Sequence, residues 1–259
     1  KNVQKIWALK MFERAFVNDI EGKYRKHWLV YSLLEMYFQL QDLEYTGSKI
    51  AFKWLQGNDE KIYFMFKRSL ESESLVDLLT LLFQITQKEK KYYFMRHAEA
   101  LEGEKDELRP VSLLGKKKLK KTKEELGCEN FDLVITSSAT RTKQTAHIIF
   151  SGQSIKEKEA KNLYLPTSIE LQFLIMKDLR LKENLIPNDI VNSKSRNTWF
   201  IYAMEALIEI MKINFEYNSK KTIIIGHGVV INLIGYLMDQ SRDDLLKKSF
   251  DPGEGFWVQ

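Results

Sequence analysis

The chain has 259 residues, 44% of them hydrophobic and 29% charged. That composition excludes a disordered or collagen-like chain and suits one large domain or two small ones. A net charge of +5 with a pI near 9.0 favours anionic partners without singling out nucleic acid, and a lone cysteine, Cys128, excludes an internal disulfide framework and a cysteine-rich zinc site.

A single cysteine fits a reducing cytoplasm, which is the expected compartment. The longest apolar runs, such as residues 78–85, are too short to span a membrane. No long apolar core followed by small residues marks a secretory leader. The chain begins at Lys1 rather than Met, which leaves open that it is a piece of something longer.

Residues 1–89 are expected to form an all-α helical bundle. Apolar residues recur there at three- and four-residue spacing: Ile6, Leu9, Phe12 and Phe16, then Leu33, Met36, Tyr37, Leu40 and Leu43. Gly22, Gly47 and Gly57 read as turns. Further helices are expected at 61–69 and 73–87. Trp7, Trp28 and Trp54 read as core of this bundle. The aromatic-rich stretch 37–55 is faintly similar to the helical C-terminal part of small nucleotidyltransferases.

The pattern changes at the charged link 88–91. From residue 90 to 259 strand and helix signals alternate, as in an α/β sheet with helices on both faces. Strands are expected at 92–95, 131–137, 160–165, 222–225 and 256–259. Helices are expected at 113–126, 142–150, 169–181, 199–215 and 229–239. The polar segment 182–197 reads as a long loop. The lysines of 116–123 lie in a helix-like stretch without interleaved aromatics, so a solvated face is expected there rather than a nucleic-acid patch.

Two of the four histidines follow strands directly: His97 after 92–95 and His227 after 222–225. Ligands of open α/β sheets bind beyond the carboxyl ends of strands, so the two could share one site. The helix expected near Val229 would aim its N–H groups at an anion there. Arg96 adjoins His97, and Arg141 follows the strand at 131–137. Guanidinium groups match phosphate oxygens with paired hydrogen bonds. Two arginines and two histidines around one phosphoryl group would stabilise its transfer. His27 and His147 are expected to be structural.

Residues 90–259 resemble the histidine phosphatase (phosphoglycerate-mutase-like) superfamily. The Arg-His-Gly motif of that family is matched by Arg96-His97-Ala98. Residues 137–146, Ser-Ser-Ala-Thr-Arg-Thr-Lys-Gln-Thr-Ala, are similar to its Ser-Ser-Pro-x-x-Arg-x-x-Gln-Thr-Ala motif, and Gly226-His227 matches its Gly-His motif. The segment Arg96-His97-Ala98-Glu99, followed by Arg109-Pro110-Val111-Ser112-Leu113-Leu114-Gly115, is similar to the bacterial phosphohistidine phosphatase (SixA) branch. The resemblance implies a three-layer domain with a mostly parallel sheet. It implies that His97 is the nucleophile and that Arg96, Arg141 and His227 bind the phosphoryl group. It implies no metal and no organic cofactor.

The general acid is the open point. Glu170 is the first candidate by position, with Glu99 and Asp106 on the first loop as alternatives. The leading expectation is a phosphatase acting on a phosphohistidine-bearing protein. Small-molecule phosphomonoesterase, mutase-like enzyme and catalytically weak phosphate-binding module are the alternatives. Membrane and nucleic-acid partners are not expected, and the oligomeric state stays open.

Overall fold

The computed structural model describes residues 1–259 apart from 18, 73, 104 and 182–184. Two compact units divide the chain, Lys1–Lys88 and Glu89–Gln259.

Among the described residues the first unit holds five helices: α1 (Asn2–Ala15), α2 (Ile20–Leu40), α3 (Ser48–Asn58), α4 (Glu60–Glu71) and α5 (Leu75–Gln87). Helix α5 is the hub, packing on α1, α2 and α4. Its Leu78, Leu79, Leu81 and Leu82 are all fully buried, so the helix is apolar nearly all round, as an interior helix must be. Side chains cap the starts. Asp19 accepts from Gly22 N at 2.7 Å, Asp59 from Ile62 N at 3.2 Å, and Ser74 from Val76 N at 3.2 Å.

Two expectations for this unit are corrected. Gly22 is not a turn but lies in the first turn of α2, where an added Cβ would sit 1.7 Å from Val17 O. The glycine is there because the incoming chain crosses that close. Gly57 likewise lies within α3, whereas Gly47, with φ 103°, does make the turn before it. The tryptophans edge the core rather than fill it: Trp7 and Trp54 are half-buried and Trp28 is 39% exposed. Phe12, Leu29, Leu33, Leu55 and Phe66 fill it instead. Indole is large enough that some of it usually stays at the boundary.

The second unit is an α/β domain. Its strands are β1 (Lys91–Arg96), β2 (Leu133–Thr136), β3 (Lys156–Glu159), β4 (Lys221–Gly226) and β5 (Gly255–Val258), in the spatial order β3-β2-β4-β1-β5. All pairings are parallel except β1 with β5. The helices are α6 (Leu113–Gly127), α7 (Thr140–Ile149), α8 (Ile169–Leu181), α9 (Pro187–Val191), α10 (Arg196–Tyr217), α11 (Gly228–Met238) and α12 (Asp244–Lys247). The mostly parallel sheet flanked by helices is the architecture expected from the sequence.

Strand alternation sorts the core. Met95, Val134, Ile223 and Ile225 pack with Leu119 of α6 and Ile149 of α7. Tyr92 and Phe94 point the other way and are also fully buried. Both faces being covered explains why β4 reads as a continuous apolar run.

Two expectations for this unit are also corrected. The third strand is not at 160–165 but at β3, whose residues Lys156, Glu157, Lys158 and Glu159 are all exposed. An edge strand of charges resists pairing with other chains and carries no hydrophobic pattern to betray it. Residues 161–163 form a 3-10 turn instead. Within the expected loop 182–197, residues 182–184 lie outside the described residues. Beyond them, α9 begins at Pro187, which suits a first helical position, and Asp189 accepts from Ile186 N at 3.2 Å. Helix α10 then starts at Arg196, three residues earlier than expected.

Candidate active site

The central strand β4 lies between β1 and β2, in register: Arg96 pairs with Gly226 and Thr136 with Ile225. The ladder runs one step further on each side, with His97 N donating to Gly226 O at 3.0 Å and Ser137 N to Ile225 O at 3.3 Å. Three parallel neighbours therefore release their chains at one level. His97 leaves β1, Ser137 leaves β2 and His227 leaves β4, with Arg141 in the first turn of α7.

The four expected residues meet there. The His97 and His227 rings are 5.0 Å apart. Arg141 Nε donates to His97 Nε2 at 3.0 Å, and its Nη2 lies 3.3 Å from His227 Nδ1. Arg96, His97, Arg141 and His227 all line one cavity.

Hydrogen bonds select the imidazole tautomers. His97 Nδ1 lies 2.7 Å from Ala98 O, which can only accept, so Nδ1 carries the proton and Nε2 presents its lone pair to Arg141. His227 is the reverse. Its Nδ1 faces the Arg141 N–H, so Nε2–H donates to Ser137 Oγ at 2.9 Å. Ser137 lies 3.0 Å from Thr142 Oγ1, which donates to Ala139 O at 2.7 Å. This row of hydroxyls fixes the ring.

Both imidazoles are held neutral. Burial pushes His97 down to about 3 against a carbonyl contact that opposes it, and the Arg141 and Arg96 charges add to the fall. Burial likewise drives His227 well below its ordinary value, helped by His97, Arg141 and Arg96. Arg96 donates from Nη1 to Phe250 O at 2.7 Å, but its buried Nε has no partner. An orphaned guanidinium N–H among cations and neutral imidazoles suits an oxyanion. The start of α11, whose N-cap is His227, lies at the same point.

The motif between residues 137 and 146 has a mechanical role as well. Thr145 Oγ1 accepts from Ala98 N at 3.0 Å and donates to Arg141 O at 2.6 Å. Gln144 accepts from Val111 N at 2.8 Å. One turn of helix thus pins both ends of the loop that follows β1. Ala139, the N-cap of α7, has an extended backbone with φ −65°. Gly115 closes the segment 109–115 because an added Cβ would stand 2.4 Å from Glu99 O.

The carboxylates separate clearly. Glu170, in the first turn of α8, is exposed and is not among the cavity-lining residues. Glu99 is engaged by Ser112 and Lys118 and does not line the cavity either. Asp106 does line it. Its carboxylate accepts from Arg141 Nη2 at 2.8 Å, Arg109 Nη1 at 2.9 Å and Tyr164 Oη at 3.1 Å. Burial alone would raise the Asp106 carboxyl. Arg141 above all, with Arg109 and Tyr164, holds it below the ordinary range. Tyr164 is pushed up to about 12, first by burial and then by Asp106, and stays a phenol. Tyr164 gave no signal in the sequence, and Ser137 gave only its place in a motif. His27 and His147 are both exposed.

Among the described residues no three His, Cys, Asp or Glu side chains gather as metal ligands, and no helix is long and apolar enough to cross a membrane.

No family model matches the chain, and no curated protein matches it. Solved structures do. Bacillus stearothermophilus YhfR is 17% identical over 66% of this chain and 91% of its own, with a TM-score of 0.49. The alpha-ribazole phosphatase from Shigella flexneri is 14% identical over 65% and 90%, with a TM-score of 0.44. The protein histidine phosphatase SixA complexed with tungstate is 15% identical over 65% and 87%, with a TM-score of 0.40. Each is a structure to which this chain is similar.

Proposed function

We propose that residues 89–259 form a histidine phosphatase that works through a phosphohistidine on His97. The observation that carries this reading is the cage itself. A buried neutral imidazole aims its Nε2 lone pair at Arg141, with a partnerless Arg96 N–H in the same cavity.

The steps follow from the chain's own groups. A phosphoryl group enters the cage and takes hydrogen bonds from Arg96 and Arg141. His97 Nε2 donates its electron pair to phosphorus, and the bond from phosphorus to the leaving group breaks with its pair going to the leaving atom. The proton stays on Nδ1, hydrogen-bonded to the Ala98 carbonyl, which helps to bear the positive charge that develops on the ring. Water then attacks phosphorus, loses a proton and releases inorganic phosphate, and the P–N pair returns to Nε2. Splitting the transfer in two lowers each barrier, and fixed cations stabilise the charge that moves outward in both steps.

The leaving atom needs a proton in proportion to its basicity. The carboxylate in the cavity, Asp106, is held ionised by Arg141 and so is a poor acid in this state. That favours leaving groups of low basicity. A phosphohistidine-bearing protein meets the condition, since imidazolium has a pKa of about 6.5, and an aryl phosphate meets it too.

Hydrolysis of phenyl phosphate tests the reading. Turnover is expected to persist in excess chelator, to be inhibited by vanadate and to vanish in His97→Ala. Quenched enzyme should carry one acid-labile phosphate. Full activity in His97→Ala would overturn the mechanism.

A further inference from the structure

The cage occupies one end of a cavity of about 650 Å³. A single phosphoryl group fills a small part of that volume, and pockets of 300–1,000 Å³ are typical for whole organic ligands. The rest is walled by α8, α10 and the start of α11. Leu165, Ile175, Met176, Leu179, Trp199 and Val230 supply aliphatic and ring surface.

Three aromatic residues in that wall also carry polar atoms, and each is already engaged by protein. Trp199 Nε1 donates to Asp178 at 2.9 Å. Tyr202 Oη donates to Leu163 O at 3.3 Å. Tyr164 Oη donates to Asp106. With their donors spent, none of the three brings a free polar donor to the wall, and Trp199 and Tyr202 back it as almost fully buried rings. The polar lining residues away from the cage, Arg180 and Ser249, are exposed. Among the described residues, aliphatic and ring side chains outnumber polar ones in this wall, so much of a sugar's hydroxyl surface would lie against apolar groups, at a desolvation cost.

We propose, resting on the phosphatase reading, that this wall is the leaving-group subsite and that the substrate is the phosphate monoester of a bulky, apolar, aromatic alcohol. Two independent features select that class. Volume and wall chemistry select apolar bulk, and the ionised Asp106 selects a leaving oxygen of phenolic rather than alkoxide basicity. The reaction is ordinary hydrolysis: the aryl O–P bond breaks, the phenol leaves after taking a proton from water, and inorganic phosphate follows.

The experiment compares 1-naphthyl phosphate with phenyl phosphate, whose leaving groups are of similar acidity but different size. With the intact chain, kcat/KM should favour the naphthyl ester by about tenfold, carried by KM, because the second ring transfers apolar area out of water. Met176→Glu should bring that ratio down to about one. Glucose 6-phosphate and a chemically phosphorylated histidine protein serve as competitors. Equal rates on the two aryl esters, or a higher kcat/KM on either competitor, would overturn the subsite while leaving the phosphatase standing.

The converse failure is read by calorimetry on His97→Ala. Tighter binding of naphthyl phosphate than of inorganic phosphate, with a negative heat-capacity change, supports the subsite even where no turnover is seen. Equal binding of the two overturns it.

Discussion

The two ends of the cavity are built on opposite physical terms. At the cage, polar groups are concentrated and over-determined: Arg141 alone contacts His97, His227 and Asp106. At the wall, the polar atoms of Trp199 and Tyr202 are turned into the protein and consumed. The cage stands on parallel strand ends locked in register, whereas the wall is made largely of helices following the exposed edge strand β3. Under the proposed function, chemistry is thereby separated from recognition. Changes at the cage should abolish reaction, and changes at the wall should alter which ester reacts.

The sharpest break is at His97, the proposed nucleophile. His97→Ala should lower kcat by roughly 10⁴ or more, since removing a nucleophile leaves only binding and oxyanion contacts. The phosphoenzyme should disappear with it in a quench-trapping assay. Arg141→Ala comes next. Loss of a charge-stabilising donor should cost about 10²–10³ in kcat, and stopped-time assays with phenyl phosphate at saturation would show it. An effect confined to KM would mean that Arg141 binds substrate and transition state equally.

Asp106 tests the boundary between the two ends. Its carboxylate occupies the Arg141 Nη2 donor, which under the proposed function a phosphoryl oxygen would use. Asp106→Asn should therefore lower the inhibition constant for inorganic phosphate, by up to about tenfold for one charge-assisted bond. Weaker phosphate inhibition would show instead that Asp106 orients Arg141.

A smaller effect is expected on stability. His97 is depressed from 6.5 to about 3 in the folded state, so the unfolded chain takes up a proton that the folded one refuses. Stability should then fall as pH drops from about 6.5 towards 3. Urea midpoints across that window should fall more steeply for the native chain than for His97→Gln. Parallel curves would place the sensitivity elsewhere. The smallest effect concerns truncation. Every cage and wall residue belongs to the unit Glu89–Gln259. A chain of residues 89–259 should fold, as judged by circular dichroism, and retain the naphthyl preference.

Much of the cage could be read before any fold was known. His97 and His227 each follow an apolar run, and the chemistry of Arg96 and Arg141 is explicit in their side chains. Parallel strands needed only to be neighbours for these four to meet. The wall offered no comparable sign. Leu165, Ile175 and Trp199 look like any buried apolar residues, because a side chain lining a cavity and one filling a core obey the same hydrophobic pattern. Glu170 stood near the right place in sequence, yet its position in the first turn of α8 leaves it in solvent.

The sequence by itself determined the alternation of strands and helices and which arginines and histidines would stand at the strand ends, because both are local properties of pattern and side-chain chemistry. Only the tertiary structure decided that β4 sits between β1 and β2, that Asp106 closes on Arg141, and that α8 and α10 leave an apolar hollow beside the cage. Those are long-range outcomes: which strand pairs with which, and where packed helices fail to touch, depend on the whole of the packing and not on any one segment.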